Sequence, residues 1–124
     1  MKLLLDTQAY LWWRTVPSRL NSSALEAIET EEDVALSSVS GFEIAVKQAI
    51  GKLVDDAALL DDPAEHDLEA LPVTWAHARE MRRLPMLHRD PFDRLLIAQA
   101  RIERRTLVTA DEQVQAYEVA TMPA

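Results

Sequence analysis

The run Leu3-Leu4-Leu5 is apolar without interruption and stops at an acid, Asp6. Such a run reads as a short buried strand over residues 2–5. An acid directly at its end is a functional group or a turn former. Val34–Leu36 reads as a second short strand, and Thr106–Thr109 as another, leading into Ala110-Asp111. Ala70–Thr74 also fits a strand, with Pro72 marking an edge or a strand start. Helical segments fall between them. Ala9–Trp13 is an apolar helical turn, and Ser22–Glu32 has Ser23 and Glu26 at capping-box spacing. Ser40–Ile50 carries Phe42, Ala45, Val46, Ala49 and Ile50 on one helical face. Trp75–Leu84 is helical until Pro85, and Asp90-Pro91 opens a helix through Arg104. Strands alternating with helices predict an α/β fold, a central parallel β-sheet flanked by α-helices. At 124 residues with no linker or repeat, residues 1–124 read as a single domain.

What the chain lacks narrows its chemistry. There is no cysteine, which excludes disulfides, Cys–zinc sites and thiol catalysis. Two glycines, Gly41 and Gly51, cannot supply a dinucleotide-binding fingerprint, and Val46 stands where a P-loop ending at Gly51 needs its first glycine. His66, His77 and His88 are spaced wrongly for a metalloprotease pair. No signal-peptide core or membrane span is visible, so the expected compartment is the cytoplasm, without membrane attachment. The net charge of −8 counts, as a total, against a generic nucleic-acid binder.

Two acids, Asp6 and Asp111, follow strands, and ligands of open parallel sheets bind outside the carboxyl ends of the strands. Glu43 and Asp93 lie near the starts of helices that begin at the same rim. Four carboxylates converging without counter-charge would repel one another or hold protons. A hard divalent cation, Mg²⁺ or Mn²⁺, resolves that conflict with oxygen ligands. Helix-start chemistry is the competing explanation. Glu43 is three residues after Ser40, Asp93 three after Asp90, and Asp111 precedes the short segment Glu112–Tyr117.

The block Leu3-Leu4-Leu5-Asp6-Thr7-Gln8-Ala9-Tyr10-Leu11-Trp12-Trp13 resembles the opening of PIN-domain toxins of the VapC type. Ser38 to Lys47, continuing through Gly51-Lys52-Leu53, resembles their second motif. His88-Arg89-Asp90-Pro91-Phe92-Asp93-Arg94, running on to Ala100, is similar to the third, and Leu107 to Asp111 to the fourth. The blocks occur in family order over residues 3–111. The resemblance implies a PIN-like fold and a Mg²⁺- or Mn²⁺-dependent endoribonuclease, the toxin of a type II toxin–antitoxin pair. It implies RNA as substrate, a cognate VapB-like antitoxin and a homodimer. Its acidic quartet falls on Asp6, Glu43, Asp93 and Asp111. Thr7 and Thr109 would orient carboxylates, and Asp90 reads mainly as a helix cap, with metal contact through water as its secondary role. Gln8 and Phe42 depart from the pattern, outside the quartet.

The charge is unevenly spread. Eight of the thirteen basic residues are arginines between Arg79 and Arg105, while seven acids and no Lys or Arg fall between Asp55 and Glu69. Arg89 and Arg94 flank the third motif and are expected to contact RNA phosphate or support the metal site. Lys52 is a further candidate RNA contact. Arg101, Arg104 and Arg105 read as a solvated helix face. Lys47, four residues after Glu43, suits an i,i+4 ion pair. Tyr10, Trp12 and Trp13 read as core or dimer interface, and His88 as a surface-loop residue. Three rival functions compete with the toxin. An aspartyl-nucleophile phosphatase would need a second Asp where Gln8 stands. A housekeeping PIN nuclease would work without an antitoxin, and a regulatory domain would bind metal without catalysis.

Overall fold

The computed structural model describes residues 1–124. Five strands, β1 (Lys2–Leu5), β2 (Asp33–Ser37), β3 (Glu69–Leu71), β4 (Thr106–Thr109) and β5 (Thr121–Pro123), form one sheet in the order β3-β2-β1-β4-β5. Every pairing is parallel, with Leu4 opposite Ala35 on one side and Leu107 on the other. Five helices cover it: α1 (Thr7–Thr15), α2 (Ser22–Thr30), α3 (Ser38–Ala49), α4 (Trp75–Arg83) and α5 (Pro91–Glu103).

The apolar run at the start sits at the centre of this arrangement. Successive strand side chains point to opposite faces. Leu3 and Leu5 join one core with Ala9, Tyr10, Ala24, Ile28 and Ile44, and Leu4 joins the other with Leu96, Ile97, Leu107 and Tyr117. All three leucines are fully buried. At about 2 kcal/mol for each buried leucine, β1 anchors both layers.

Parallel pairing places every strand's carboxyl end on one rim. The chain leaves β1 toward β2 and β3, then crosses to β4 on the other flank of β1. The sheet's switch point therefore lies between β1 and β4, where a crevice opens. Asp6 follows one of those strands and Asp111 the other.

Several elements depart from expectation. α1 begins at Thr7, because the Asp6 side chain accepts from Ala9 N–H at 2.7 Å and caps it. α2 is capped by Asn21, not by Ser23. β3 stops before Pro72, which cannot extend the ladder. β5 is an additional strand: three residues ending in proline carry too little periodicity to be read as one. α3 differs most. Ser37 is its N-cap, so Glu43 lies beyond the reach of a capping box. Its buried residues are Val39, Ser40, Glu43 and Ile44, while Phe42, Val46 and Ile50 are exposed. The predicted apolar face thus points to solvent, and the face that carries Glu43 points inward.

Candidate metal centre

The rim between β1 and β4 opens into a polar cleft of about 310 Å³ whose lining includes Asp6, Thr7, Gln8, Glu43, Lys47, Asp90, Asp93 and Asp111. Each acid reaches it for a local reason. Asp6 is held by its capping bond, and its own N–H continues the ladder to Val108 O at 3.0 Å. Glu43 projects from the inward face of α3. Asp93 stands in the first turn of α5, which Asp90 caps by accepting from Phe92 and Asp93 N–H. Asp111 follows β4, with its N–H donating to Thr109 Oγ1 at 3.0 Å and its Oδ1 accepting from Gln113 N–H at 2.9 Å.

The electrostatics are those of crowded acids. Burial raises Asp6 to about 6, against hydrogen bonds from the Thr109 hydroxyl and Ala9 N–H, and the Asp111 and Glu43 charges push it further up. Burial also raises Asp93 to about 7, helped by the neighbouring Asp90 charge and opposed by His88. Lys47 Nζ lies 2.7 Å from Glu43 Oε2, and that hydrogen bond raises the lysine pKa. Glu43 Oε1 is buried with no hydrogen-bond partner at all. An unpaired buried carboxylate oxygen is costly in an otherwise satisfied fold. Oxygen donors from four acids, one of them unsatisfied, fit a hard divalent cation.

The residues around the quartet are divided by the fold. Thr109 Oγ1 accepts from Asp111 N–H, whereas the Thr7 hydroxyl donates to Ser40 Oγ at 2.9 Å and joins α1 to α3. Arg89 and Lys52 are exposed.

Arg94 does not lie on the surface, as the expected phosphate contact would. It is buried, and its guanidinium donates to Pro85 O at 3.0 Å, Met81 O at 3.2 Å and Leu84 O at 3.4 Å, with Tyr117 Oη also in reach. Its position on α5 puts the guanidinium beneath the end of α4 and the irregular segment after it, where Leu84 O has no other donor. Arg105 likewise leaves the expected solvated face. It is buried against Leu3 O and pairs with Asp33 at 2.6 Å and Glu69 at 3.3 Å.

His88, expected on the surface, is 8% exposed, with Nε2 2.8 Å from Asp111 Oδ2 and 3.2 Å from Asp93 Oδ2. The one signal for it in the sequence is position: it stands two residues before the Asp90 cap, where the chain must turn into the cleft.

The profile of the PIN domain family matches residues 3–120. The chain is 31% identical over 119 residues to Ribonuclease VapC22 of Mycobacterium tuberculosis, covering 93% of this chain and 91% of that protein. Among solved structures, the fold is similar to VapBC2 from Rickettsia felis bound to a promoter DNA fragment, with TM-score 0.75, 16% identity and 98% of each chain covered. It is also similar to FitAcB from Neisseria gonorrhoeae, with TM-score 0.70, 19% identity, and 98% of this chain and 96% of that one covered.

Proposed function

The chain belongs to the PIN domain family, and on that premise we propose that it is a VapC-type toxin, a divalent-metal-dependent endoribonuclease built as one domain over residues 1–124. The observation that carries this reading is the unpartnered Glu43 Oε1 in a cleft where Asp6, Asp93 and Asp111 also converge. Asp6, Glu43, Asp93 and Asp111 would hold Mg²⁺ or Mn²⁺. When bound, such an ion supplies Lewis-acid stabilisation of the charge that develops on an RNA phosphodiester during hydrolysis.

The chain's own groups prepare that site. Ala9 N–H fixes one oxygen of the Asp6 carboxylate, and Gln113 N–H fixes one oxygen of Asp111. Lys47 brings an ammonium to the cleft wall, a point charge suited to a substrate phosphate. Arg89 and Lys52 are the exposed cations proposed to steer RNA toward it. Their phosphate contacts make binding salt-dependent. Gln8 lines the cleft where an aspartyl phosphatase needs its second acid, which disfavours phosphatase chemistry.

Protein partners follow from the same reading. Phe42, Val46 and Ile50 form an exposed apolar stripe on α3, and Phe42 lies 5.9 Å from Phe92 on α5. Exposed apolar surface of this kind marks protein contacts. We assign the protein a VapB-like antitoxin, a reading supported by the similarity to VapBC2 and FitAcB, and a homodimeric state.

The test is cleavage of labelled RNA by the purified protein with Mg²⁺, with Mn²⁺ and with EDTA. Cleavage with either ion and none with EDTA is expected. Full activity in EDTA, or in Asp6→Asn and Asp93→Asn proteins, overturns the reading.

A further inference from the structure

His88 belongs to the irregular segment between α4 and α5, yet its ring is held as firmly as a core residue. Its backbone N–H donates to Tyr117 Oη at 2.8 Å. The same hydroxyl accepts from Leu87 N–H at 3.1 Å and donates to Pro85 O at 2.8 Å. Arg94 clamps the segment from below through Pro85 O and Leu84 O. Two buried side chains from α5 and the region after β4 therefore determine where His88 stands.

The ring's polarity follows from its neighbours. Nδ1 lies 3.1 Å from the backbone nitrogen of Asp90, a group that only donates. Nδ1 must accept, which leaves the imidazole proton on Nε2. Nε2 faces Asp111 Oδ2 at 2.8 Å and Asp93 Oδ2 at 3.2 Å, both acceptors. His88, Asp93 and Asp111 bring ligand-capable atoms within 4.8 Å of one another, a spacing that suits a three-ligand metal site. A nitrogen that carries a proton has no lone pair to give a metal, so this tautomer excludes His88 as a ligand.

We propose that His88 is a positioning residue whose Nε2–H holds Asp111 by a hydrogen bond while lying against Asp93, and so presents these two acids, carried by separate elements, together to the divalent ion. The inference rests on the quartet being the ion's site. It assigns His88 the outer role that hydrogen-bonded partners of metal ligands commonly play, one whose removal weakens metal binding by about 10- to 100-fold.

Two measurements test it. In long-range ¹H–¹⁵N spectra of the metal-free wild-type protein, His88 is expected as the Nε2–H tautomer, and it keeps that proton when Mg²⁺ is added. An Nδ1–H tautomer, or loss of the Nε2 proton on adding Mg²⁺, overturns the assignment. By calorimetry, His88→Ala is expected to bind Mn²⁺ and Mg²⁺ about 10- to 100-fold more weakly than wild type. His88→Gln, whose amide N–H₂ can still donate to Asp111, recovers most of that affinity. Equal affinity in wild type and His88→Ala overturns the role of His88 alone. Absence of binding by the wild type overturns the quartet as the ion site, and this assignment with it.

Discussion

Lys47 Nζ and Glu43 Oε2 lie 2.7 Å apart, so the ammonium satisfies one oxygen of a carboxylate whose other oxygen has no partner. The lysine is half-exposed and the glutamate buried, which makes the pair a partial counter-charge at the edge of the cleft. Replacing Lys47 with Met should cost the metal-free protein about 1 to 2 kcal/mol: solvent screens the half-exposed ammonium, but both oxygens of the buried Glu43 carboxylate are then without a partner. It should tighten Mg²⁺ binding severalfold by removing a competing cation, while slowing RNA cleavage. Denaturation in EDTA, calorimetry and a cleavage assay read the three effects separately. Weaker Mg²⁺ binding would contradict the counter-charge role.

Asp6→Asn and Asp93→Asn should separate stability from activity. Asn caps a helix as well as Asp does, so α1 keeps its start when Asp6 is replaced. Each substitution also removes a charge from a crowd of acids. Thermal melts in EDTA should therefore show midpoints equal to or above wild type, while cleavage falls at least about 100-fold through loss of metal chemistry. A lowered midpoint in EDTA would mean that the acids serve the fold and not a site.

Much of this site is legible in the chain itself. Asp6 and Asp111 announce themselves because each ends an apolar strand, and parallel topology then brings both to one rim. Lys47 and Glu43 meet because four residues make one helical turn. The orientation of α3 is not legible: Phe42, Val46 and Ile50 make the stronger apolar stripe, yet tertiary packing turns the stripe of Val39, Ser40, Glu43 and Ile44 inward. Nor is the fate of Arg94, since periodicity does not reveal that the end of α4 leaves the Leu84 carbonyl in need of a donor. His88 escapes for the same reason, being placed by Tyr117 from 29 residues away.

The metal-free protein should grow more stable as pH falls from 8 toward 5. Asp6 at about 6 and Asp93 at about 7 both lie above the ordinary carboxylate value of 3.8. Between those limits the folded state binds more protons than the unfolded chain, so stability decreases with rising pH. The gain is complete below the unfolded pKa and lost as pH rises through 6 and 7. Saturating Mg²⁺ should reverse the balance by favouring ionised ligands, so the ion stabilises most at pH 8 and its binding releases protons. Urea melts at pH 5, 6.5 and 8, in EDTA and in Mg²⁺, measure both trends. A metal-free protein that loses stability from pH 8 to 6 would refute them.

Arg94 and Arg89 stand five residues apart and should behave as opposites. Arg94→Met leaves the Leu84 carbonyl without a donor and removes one donor each from Met81 O and Pro85 O, which keep Leu84 N–H and the Tyr117 hydroxyl, so a loss of about 2 kcal/mol is expected by chemical denaturation. Arg94→Lys should recover little, since a single ammonium cannot spread over oxygens that a planar fork reaches at once. Arg89→Ala, at an exposed position, should change stability by less than about 0.5 kcal/mol. Its effect belongs in RNA binding: weaker affinity at low salt, with the salt dependence of binding reduced by about one phosphate contact. The comparison separates an arginine that shapes the site from one that meets the substrate, because only Arg89→Ala should lose affinity with its unfolding curve unchanged. If Arg94→Met kept wild-type stability and instead lost RNA affinity, the buried staple would be wrong and the phosphate contact expected from its motif would be right.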